Sequence, residues 1–263
     1  MIIDGKDIAN TIYKETAESV SSLSRAPRMT AITCAPNFET QKYLNLKKQK
    51  AAEVGISLNI VELSEDVTTE EVVACIQAVA KDADGIVTQL PFPPHVDREV
   101  MLKAIPPDKD PDGFNYELSE LCLPPVVGAI DEIAKKYNFS WEDKKVAVVG
   151  YGTLVGKPAA HYAKSKGAQV TVITENTENP NAYIQEADII ISGTGRSHSI
   201  TSDMVKEDVC IFDAGTSEDN GELAGDVHPD VVQKASLFTP VPGGIGPITV
   251  AYLLRNLVTL VRQ

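Results

Sequence analysis

The stretch KKVAVVGYGTLVGKPAAHYAKSKGAQVTVITEN, residues 144–176, decides the fold. Its apolar run at 146–150 is short, valine-rich and closed by glycine, which reads as a buried strand. A glycine-rich turn follows, then a helix expected over 157–166, then a second strand over 169–173. Strand, turn, helix and strand in this order make the first βαβ unit of a dinucleotide-binding sheet. Gly150 and Gly152 allow a tight turn and let a phosphate approach the N–H groups of the helix N-terminus. Pro158 suits the first helical turn, where no N–H is needed. Gly156 comes one residue late for Gly-x-Gly-x-x-Gly, so the strand–turn–helix–strand setting, rather than the motif alone, carries the reading.

The candidate cofactor-binding residues are Gly150, Tyr151, Gly152, Thr153, Val155 and Gly156, with Thr174 and Glu175 at the end of the second strand. An acid about 20 residues past the turn binds the ribose hydroxyls of NAD and repels the 2′-phosphate of NADP. Glu175 occupies that place, and neither Arg nor Lys lies beside it or between Gly150 and Gly156. NAD is therefore the expected cofactor and NADP the alternative.

Outward from this unit, strands are expected at 188–192 and 209–213 and a helix within 181–186. Upstream, strands at 29–34, 57–63 and 85–89 alternate with helices at 8–23, 40–54 and 69–80. Thr68 and Thr69 before Glu70 and Glu71 mark a helix start. A Pro- and Asp-rich stretch, 105–125, separates the halves, a helix over 126–137 opens the second, and an apolar helix over 247–262 is expected to pack back on the first. The fold class is α/β with two domains: residues 1–122 with 246–263 returning to them, and a Rossmann-like domain over 123–245.

Composition narrows the function. The 263 residues are 43% hydrophobic and 23% charged, ordinary for a globular protein. No run approaches the ~18 apolar residues of a membrane span, and MIIDGKDIAN lacks the basic and apolar regions of a secretory signal. A cytoplasmic protein is expected. The net charge of −13 argues against nucleic acid as a partner. Cys34, Cys75, Cys122 and Cys210 are widely spaced, without Cys-x-x-Cys, and read as buried or partly buried thiols. The four histidines are scattered as well, so no metal is expected.

Four segments of the chain look chemical. In TQKYLNLKKQKAAEVGI, Tyr43 and Lys47 stand one helical turn apart on a common face, and such a pair can transfer protons. Lys42, Lys47, Lys48 and Lys50 make a local basic patch in an acidic chain. In DGIVTQLPFP, Gln89 lies at the carboxyl end of a strand, where open α/β sheets gather ligands. PPDKDPDGF carries Asp108, Asp110 and Asp112. TPVPGGIGPIT is a Gly/Pro-dense loop between a short strand and a helix, suited to close backbone approach to a ligand.

These four in this order, around a Rossmann unit, resemble the bifunctional methylenetetrahydrofolate dehydrogenase/cyclohydrolases. The resemblance runs from IIDGKDIA to the last helix. It implies oxidation of 5,10-methylenetetrahydrofolate to 5,10-methenyltetrahydrofolate with NAD(P)+, followed by hydrolysis to 10-formyltetrahydrofolate, in a homodimer. It also implies roles. Lys47 is the general acid/base of hydrolysis, Gln89 holds and tunes Lys47, Tyr43 packs on the folate, and Asp112 hydrogen-bonds the pterin. Pro242, Gly243, Gly244 and Thr249 bind substrate as part of the loop lining the folate cleft. The other readings are a dehydrogenase without effective hydrolysis and a non-catalytic folate- or nucleotide-binding protein.

The chain departs from the family pattern in three places. The phosphate turn, often Gly-Arg-Ser-x-x-Val-Gly, has Tyr151 and Gly152 for Arg and Ser, and the His-Ser after the second strand is Thr174-Glu175. Both changes remove support for a 2′-phosphate. The Cys-Thr-Pro-x-Gly segment is Cys122-Leu123-Pro124-Pro125-Val126.

Overall fold

Strand β1, Arg28–Cys34, is buried at every position but its first, as a central parallel strand flanked on both faces must be. The computed structural model, which describes residues 1–116, 121–219 and 222–263, surrounds it with α1 (Gly5–Ser21), α2 (Phe38–Glu53), β2 (Ser57–Leu63), α3 (Thr69–Val79), β3 (Gly85–Thr88) and α4 (Arg98–Lys103). The sheet order is β2-β1-β3, all parallel. Thr68 and Glu71 form a full capping box at the start of α3, where the sequence marks a helix N-terminus. One face of the sheet packs with Leu44 and Ala51 of α2, the other with Val72 and Ile76 of α3 and Met101 of α4.

The second series runs α5 (Pro125–Lys136), β4 (Lys145–Val149), α6 (Gly156–Ser165), β5 (Gln169–Ile173), α7 (Pro180–Glu186), β6 (Ile189–Ser192), β7 (Val209–Asp213), the short hairpin β8 (Ser217–Asp219) and β9 (Glu222–Ala224), β10 (Ala235–Phe238) and α8 (Ile245–Val261). Its parallel sheet has the order β10-β7-β6-β4-β5. The strand after β4 lies on one side of it and the next on the other, so a topological switch point falls between β4 and β6.

The chain divides into two compact units, each discontinuous: residues 10–125 with 250–263, and residues 1–9 with 126–249. In the first, Leu253, Leu254 and Leu257 of α8 enter the core with Met29 and Leu58, and the Arg262 guanidinium donates to Ser19 O at 3.1 Å. The C-terminal helix thus returns to the first domain, as its apolar periodicity predicts. In the second, Ile2 bridges Phe238 in parallel, with Ile3 N–H donating to Phe238 O at 2.9 Å, so the first residues extend the sheet beyond β10.

Differences from the sequence reading are local. Gly150 and Gln89 fall one residue beyond their strands, α1 begins at Gly5, and α7 begins at Pro180. Residues 117–120 of the separating stretch lie outside the described residues. Cys34, Cys122 and Cys210 are buried and Cys75 is partly buried, all as free thiols. Among the described residues no helix is long and apolar enough to cross a membrane, and no group of three or more His, Cys, Asp or Glu could hold a metal ion.

Candidate active site

Helix α2 starts on a cap, Asn37 Oδ1 accepting the Thr40 N–H at 2.8 Å. Helical spacing puts Leu44, Lys47 and Ala51 on the face turned to the sheet. Lys47 is therefore only 7% exposed. A buried ammonium needs a polar partner, and its Nζ donates to Gln89 Oε1 at 3.0 Å. Gln89 is held at both ends: its backbone N–H donates to Ile32 O at 2.8 Å and its Nε2 donates to Leu90 O at 3.1 Å. The second bond fixes the amide so that its oxygen faces the lysine. One turn earlier, the Tyr43 ring lies 4.8 Å from Lys47 Nζ and is partly exposed.

Asp112 joins this group. Burial raises its carboxyl above the usual range, and the nearby Lys47 charge pulls it back down. Asp108 is exposed, whereas Asp110 is 3% exposed. Asp110 Oδ2 accepts the Asn115 N–H at 3.1 Å, tightening the loop that carries Asp112. From behind, Asn256 of α8 donates to Pro111 O at 2.9 Å and to Leu123 O at 2.8 Å, tying the Asp112 loop to the altered 122–126 segment.

The expected lysine patch is dispersed by the fold. Lys47 is buried, and Lys50 pairs with Glu53 at 2.7 Å and lies over the Tyr13 ring, leaving Lys42 and Lys48 at the surface.

Asp110 yields a pH prediction. Burial first, then the charge of Asp112, push its carboxyl up to about 7 from 3.8, against the opposing pull of backbone N–H groups. A carboxyl raised on folding contributes stability that is complete below the unfolded value and is lost as pH rises through the folded one. Stability is expected to fall across that window by on the order of 4 kcal/mol from this residue, and Asp110→Asn to flatten the fall. Denaturant unfolding of both proteins at several pH values checks it, and parallel pH curves would remove Asp110 as the cause.

In the other unit, the phosphate turn is built on glycine. Gly150 has φ +91°, outside the usual range of other residues, and its N–H donates to Ile173 O at 2.8 Å. A Cβ on Gly156 would lie 2.0 Å from Gly150 O, whereas one on Gly152 would meet nothing within 4 Å. The turn is thus closed on its inner side and open at Gly152, leaving the backbone room for a phosphate at the start of α6. Tyr151 is exposed, and Thr153 and Val155 are partly so. Thr174 and Glu175 sit exposed just past β5, beside the turn's own strand β4, and Thr174 N–H donates to Thr177 Oγ1 at 2.9 Å.

The 239–249 loop carries a cis Val241–Pro242 bond and Gly243 at φ +109°, with open space where its Cβ would be. Gly244 is buried, its N–H donating to Pro240 O at 2.7 Å. Thr249 Oγ1 donates to Gly246 O at 2.7 Å.

Two family models account for nearly all of the chain. The catalytic domain of tetrahydrofolate dehydrogenase/cyclohydrolase matches residues 3–112, and the NAD(P)-binding domain of the same enzymes matches residues 124–263. The chain belongs to the tetrahydrofolate dehydrogenase/cyclohydrolase family. It is 34% identical to the bifunctional protein FolD of Mycoplasmopsis synoviae, over 98% of this chain and 99% of that one. It is 35% identical to that of Methanococcoides burtonii, over 97% and 94%. The crystal structure of the bifunctional enzyme FolD from Campylobacter jejuni superposes with a TM-score of 0.94 at 32% identity, covering 100% of this chain and 98% of that one. The Trypanosoma brucei enzyme, complexed with NADP cofactor and inhibitor, gives 0.92 at 30% identity, covering 100% and 97%.

Within the family's catalytic segment the fold brings Tyr43, Lys47, Gln89 and Asp112 into one unit, and within its NAD(P)-binding segment it gathers the 150–156 turn with Thr174 and Glu175. Sequence reasoning missed Gly5. Its N–H donates to Gly243 O at 2.9 Å, and a Cβ there would lie 1.8 Å from Gly244 O, so the Gly5 backbone is set directly against the 243–244 backbone of the same unit. The Asp-Gly pair opening an amphipathic helix was the only local signal.

Proposed function

We propose that this chain oxidises 5,10-methylenetetrahydrofolate to 5,10-methenyltetrahydrofolate with a nicotinamide dinucleotide, NAD in preference to NADP, and hydrolyses the product to 10-formyltetrahydrofolate. The observation that carries the reading is the buried Lys47–Gln89 hydrogen bond, with Tyr43 and Asp112 beside it, in a chain of this family. In this reading residues 1–122 with 246–263 bind folate and residues 123–245 bind the dinucleotide. A cytoplasmic homodimer completes it, on the family resemblance.

Tyr43 offers a partly exposed ring on which the flat part of the folate can lie. Asp112, whose surroundings favour its proton, hydrogen-bonds the pterin. Pro242, Gly243, Gly244 and Thr249 contribute backbone and one hydroxyl to substrate, supported by the open space at Gly243. The methylene carbon gives up a hydride with the push of its two flanking nitrogens and becomes the cationic methenyl carbon, so oxidation needs alignment more than acid or base. The bound dinucleotide supplies the hydride acceptor. The residues of the 150–156 turn hold its phosphates on the α6 N-terminus, with the open position at Gly152 as the fit. Hydrolysis differs, because water added to the methenyl carbon must lose a proton and the departing ring nitrogen must gain one. Lys47 Nζ is the group that moves that proton, and Gln89 keeps it in place.

Glu175 decides the cofactor. Its exposed carboxylate, just past β5, accepts from ribose hydroxyls and opposes a phosphate in their place. Glu175→Ser is expected to raise the NADP/NAD ratio of kcat/KM by about tenfold or more. An unchanged ratio would show that another residue discriminates.

The test of the whole reading supplies purified protein with 5,10-methylenetetrahydrofolate and either NAD+ or NADP+, following reduced nicotinamide and methenyl product separately. NADH formation without methenyl accumulation is expected. NADPH formation in its place would reverse the cofactor preference while keeping the reaction, and no reduction with either would overturn the dehydrogenase reading.

A further inference from the structure

Two buried carboxylates in the nucleotide unit have no part in the chemistry above. Asp226 is 0% exposed and Asp213, the last residue of β7, is 1% exposed. A buried carboxylate persists only if its oxygens are hydrogen-bonded. Here the donors are neutral. Asp226 Oδ2 accepts the Ser192 hydroxyl and the Thr194 N–H, both at 2.6 Å, and Oδ1 accepts the Arg196 N–H at 2.9 Å. Asp213 Oδ1 accepts from the N–H of Gly215 at 3.0 Å and of Asp226 at 3.2 Å, and Oδ2 from Val227 at 2.9 Å. Glycine lets the backbone close on both. A Cβ on Gly215 would lie 2.1 Å from Asp226 Oδ1, and one on Gly225 would lie 2.1 Å from Asp213 Oδ2.

What these carboxylates hold lies at one edge of the sheet. Thr194 and Arg196 belong to the loop after β6 and Gly215 to the loop after β7, at the carboxyl ends of adjacent parallel strands. Dinucleotides bind at that edge. The loop after β6 also bears on the phosphate turn. A Cβ on Gly193 would come within 2.5 Å of Val155 Cγ1, and one on Gly150 within 3.0 Å of Gly193 O and 3.1 Å of Thr194 Cγ2. The Asp226 carboxylate thus holds Thr194, and the Gly193–Thr194 backbone and side chain leave no room for a Cβ at Gly150 or, beside Val155, at Gly193.

We infer that Asp226 is a positioning residue for the dinucleotide: its carboxylate fixes the 193–196 loop against the 150–156 turn and so sets how tightly the cofactor is held, without touching it. The inference rests on the dehydrogenase reading for its ligand. It predicts that loss of the carboxylate acts on cofactor binding and spares the step that uses no cofactor. Asparagine is the same size but turns an N–H toward loop donors, replacing attraction with repulsion.

The experiment uses the full-length chain and compares wild type, Asp226→Asn and Ser192→Ala. It measures NADH affinity by fluorescence, KM and kcat for dinucleotide reduction, and hydrolysis of 5,10-methenyltetrahydrofolate with no dinucleotide present. Asp226→Asn is expected to weaken NADH binding and raise dinucleotide KM about tenfold or more, with kcat, folate KM and hydrolysis within about twofold of wild type. Ser192→Ala, which keeps the carboxylate and both backbone bonds, is expected to weaken binding about threefold, and it decides the matter if Asp226→Asn does not fold. Wild-type affinity and KM in Ser192→Ala and in any folded Asp226→Asn overturn the inference. So does an equal loss of hydrolysis and cofactor binding, the mark of general destabilisation. A wild type that binds NADH without reducing substrate sinks the dehydrogenase reading and still tests the inference by affinity, and one that does not bind NADH sinks both.

Discussion

Lys47→Met is expected to lower methenyl hydrolysis by about a thousandfold while leaving dinucleotide reduction within a few-fold, so that the methenyl intermediate accumulates. Methionine is unbranched like lysine, only one heavy atom shorter, and is at home on the face shared with Leu44 and Ala51, so the 7%-exposed site stays largely filled. The ammonium is lost, and with it the donor to Gln89 Oε1. Proton transfer by a placed side chain contributes roughly 10²–10⁴ to a rate, and hydride transfer between aligned partners needs no such group. The methenyl compound and reduced nicotinamide are followed at separate wavelengths in one assay. Equal losses of both activities would point to a binding or folding role for Lys47, and retained hydrolysis would remove it from the chemistry.

Gly156→Ala is expected to give the reverse pattern, with dehydrogenase activity at limiting dinucleotide falling by about a hundredfold or more and hydrolysis retained. The added methyl would stand 2.0 Å from Gly150 O and 2.8 Å from both Gly150 C and Tyr151 Cα. These are backbone atoms and cannot swing aside as a side-chain tip can. Either the turn or the start of α6 must move by an ångström or more, and a displacement of that size costs about 10²-fold in a reaction that depends on alignment. Saturation kinetics with each dinucleotide, beside nucleotide-free hydrolysis, provides the measurement. A Gly156→Ala protein with unaltered dinucleotide KM would mean that the cofactor does not rest on this turn. Together the two substitutions separate the activities in opposite directions, which general loss of structure cannot do.

The parts of the fold that were legible in the sequence are those fixed by local pattern. The valine run, the glycines and the following amphipathic stretch place β4, the phosphate turn and α6 to within a residue or two, because period and turn chemistry act over a few residues. The Thr68–Glu71 cap was readable for the same reason. Choices made by tertiary packing were not. Lys42, Lys47, Lys48 and Lys50 look alike along the chain, and only the docking of α2 on the sheet buries Lys47 alone among them. Asp108, Asp110 and Asp112 sit in one run, yet the fold exposes the first, buries the second and brings the third under the influence of Lys47. Gly5 meets Gly243 and Gly244 across most of the chain, and Ser192 meets Asp226 across several elements, so neither left a local trace beyond a glycine or an Asp-Gly neighbour.

The discontinuity of both units bears on how the protein is made. Residues 1–3 find their sheet partners only at 236–238, and the first unit's core waits for Leu253, Leu254 and Leu257. A chain emerging from the ribosome at about 5–20 residues per second therefore makes the early elements of each unit well before the element that closes it. The β2-β1-β3 sheet, with its apolar face toward the missing α8, is on hand long before its cover. Emergence of α8, rather than of the strands that precede it, is the event that lets the first unit's core close.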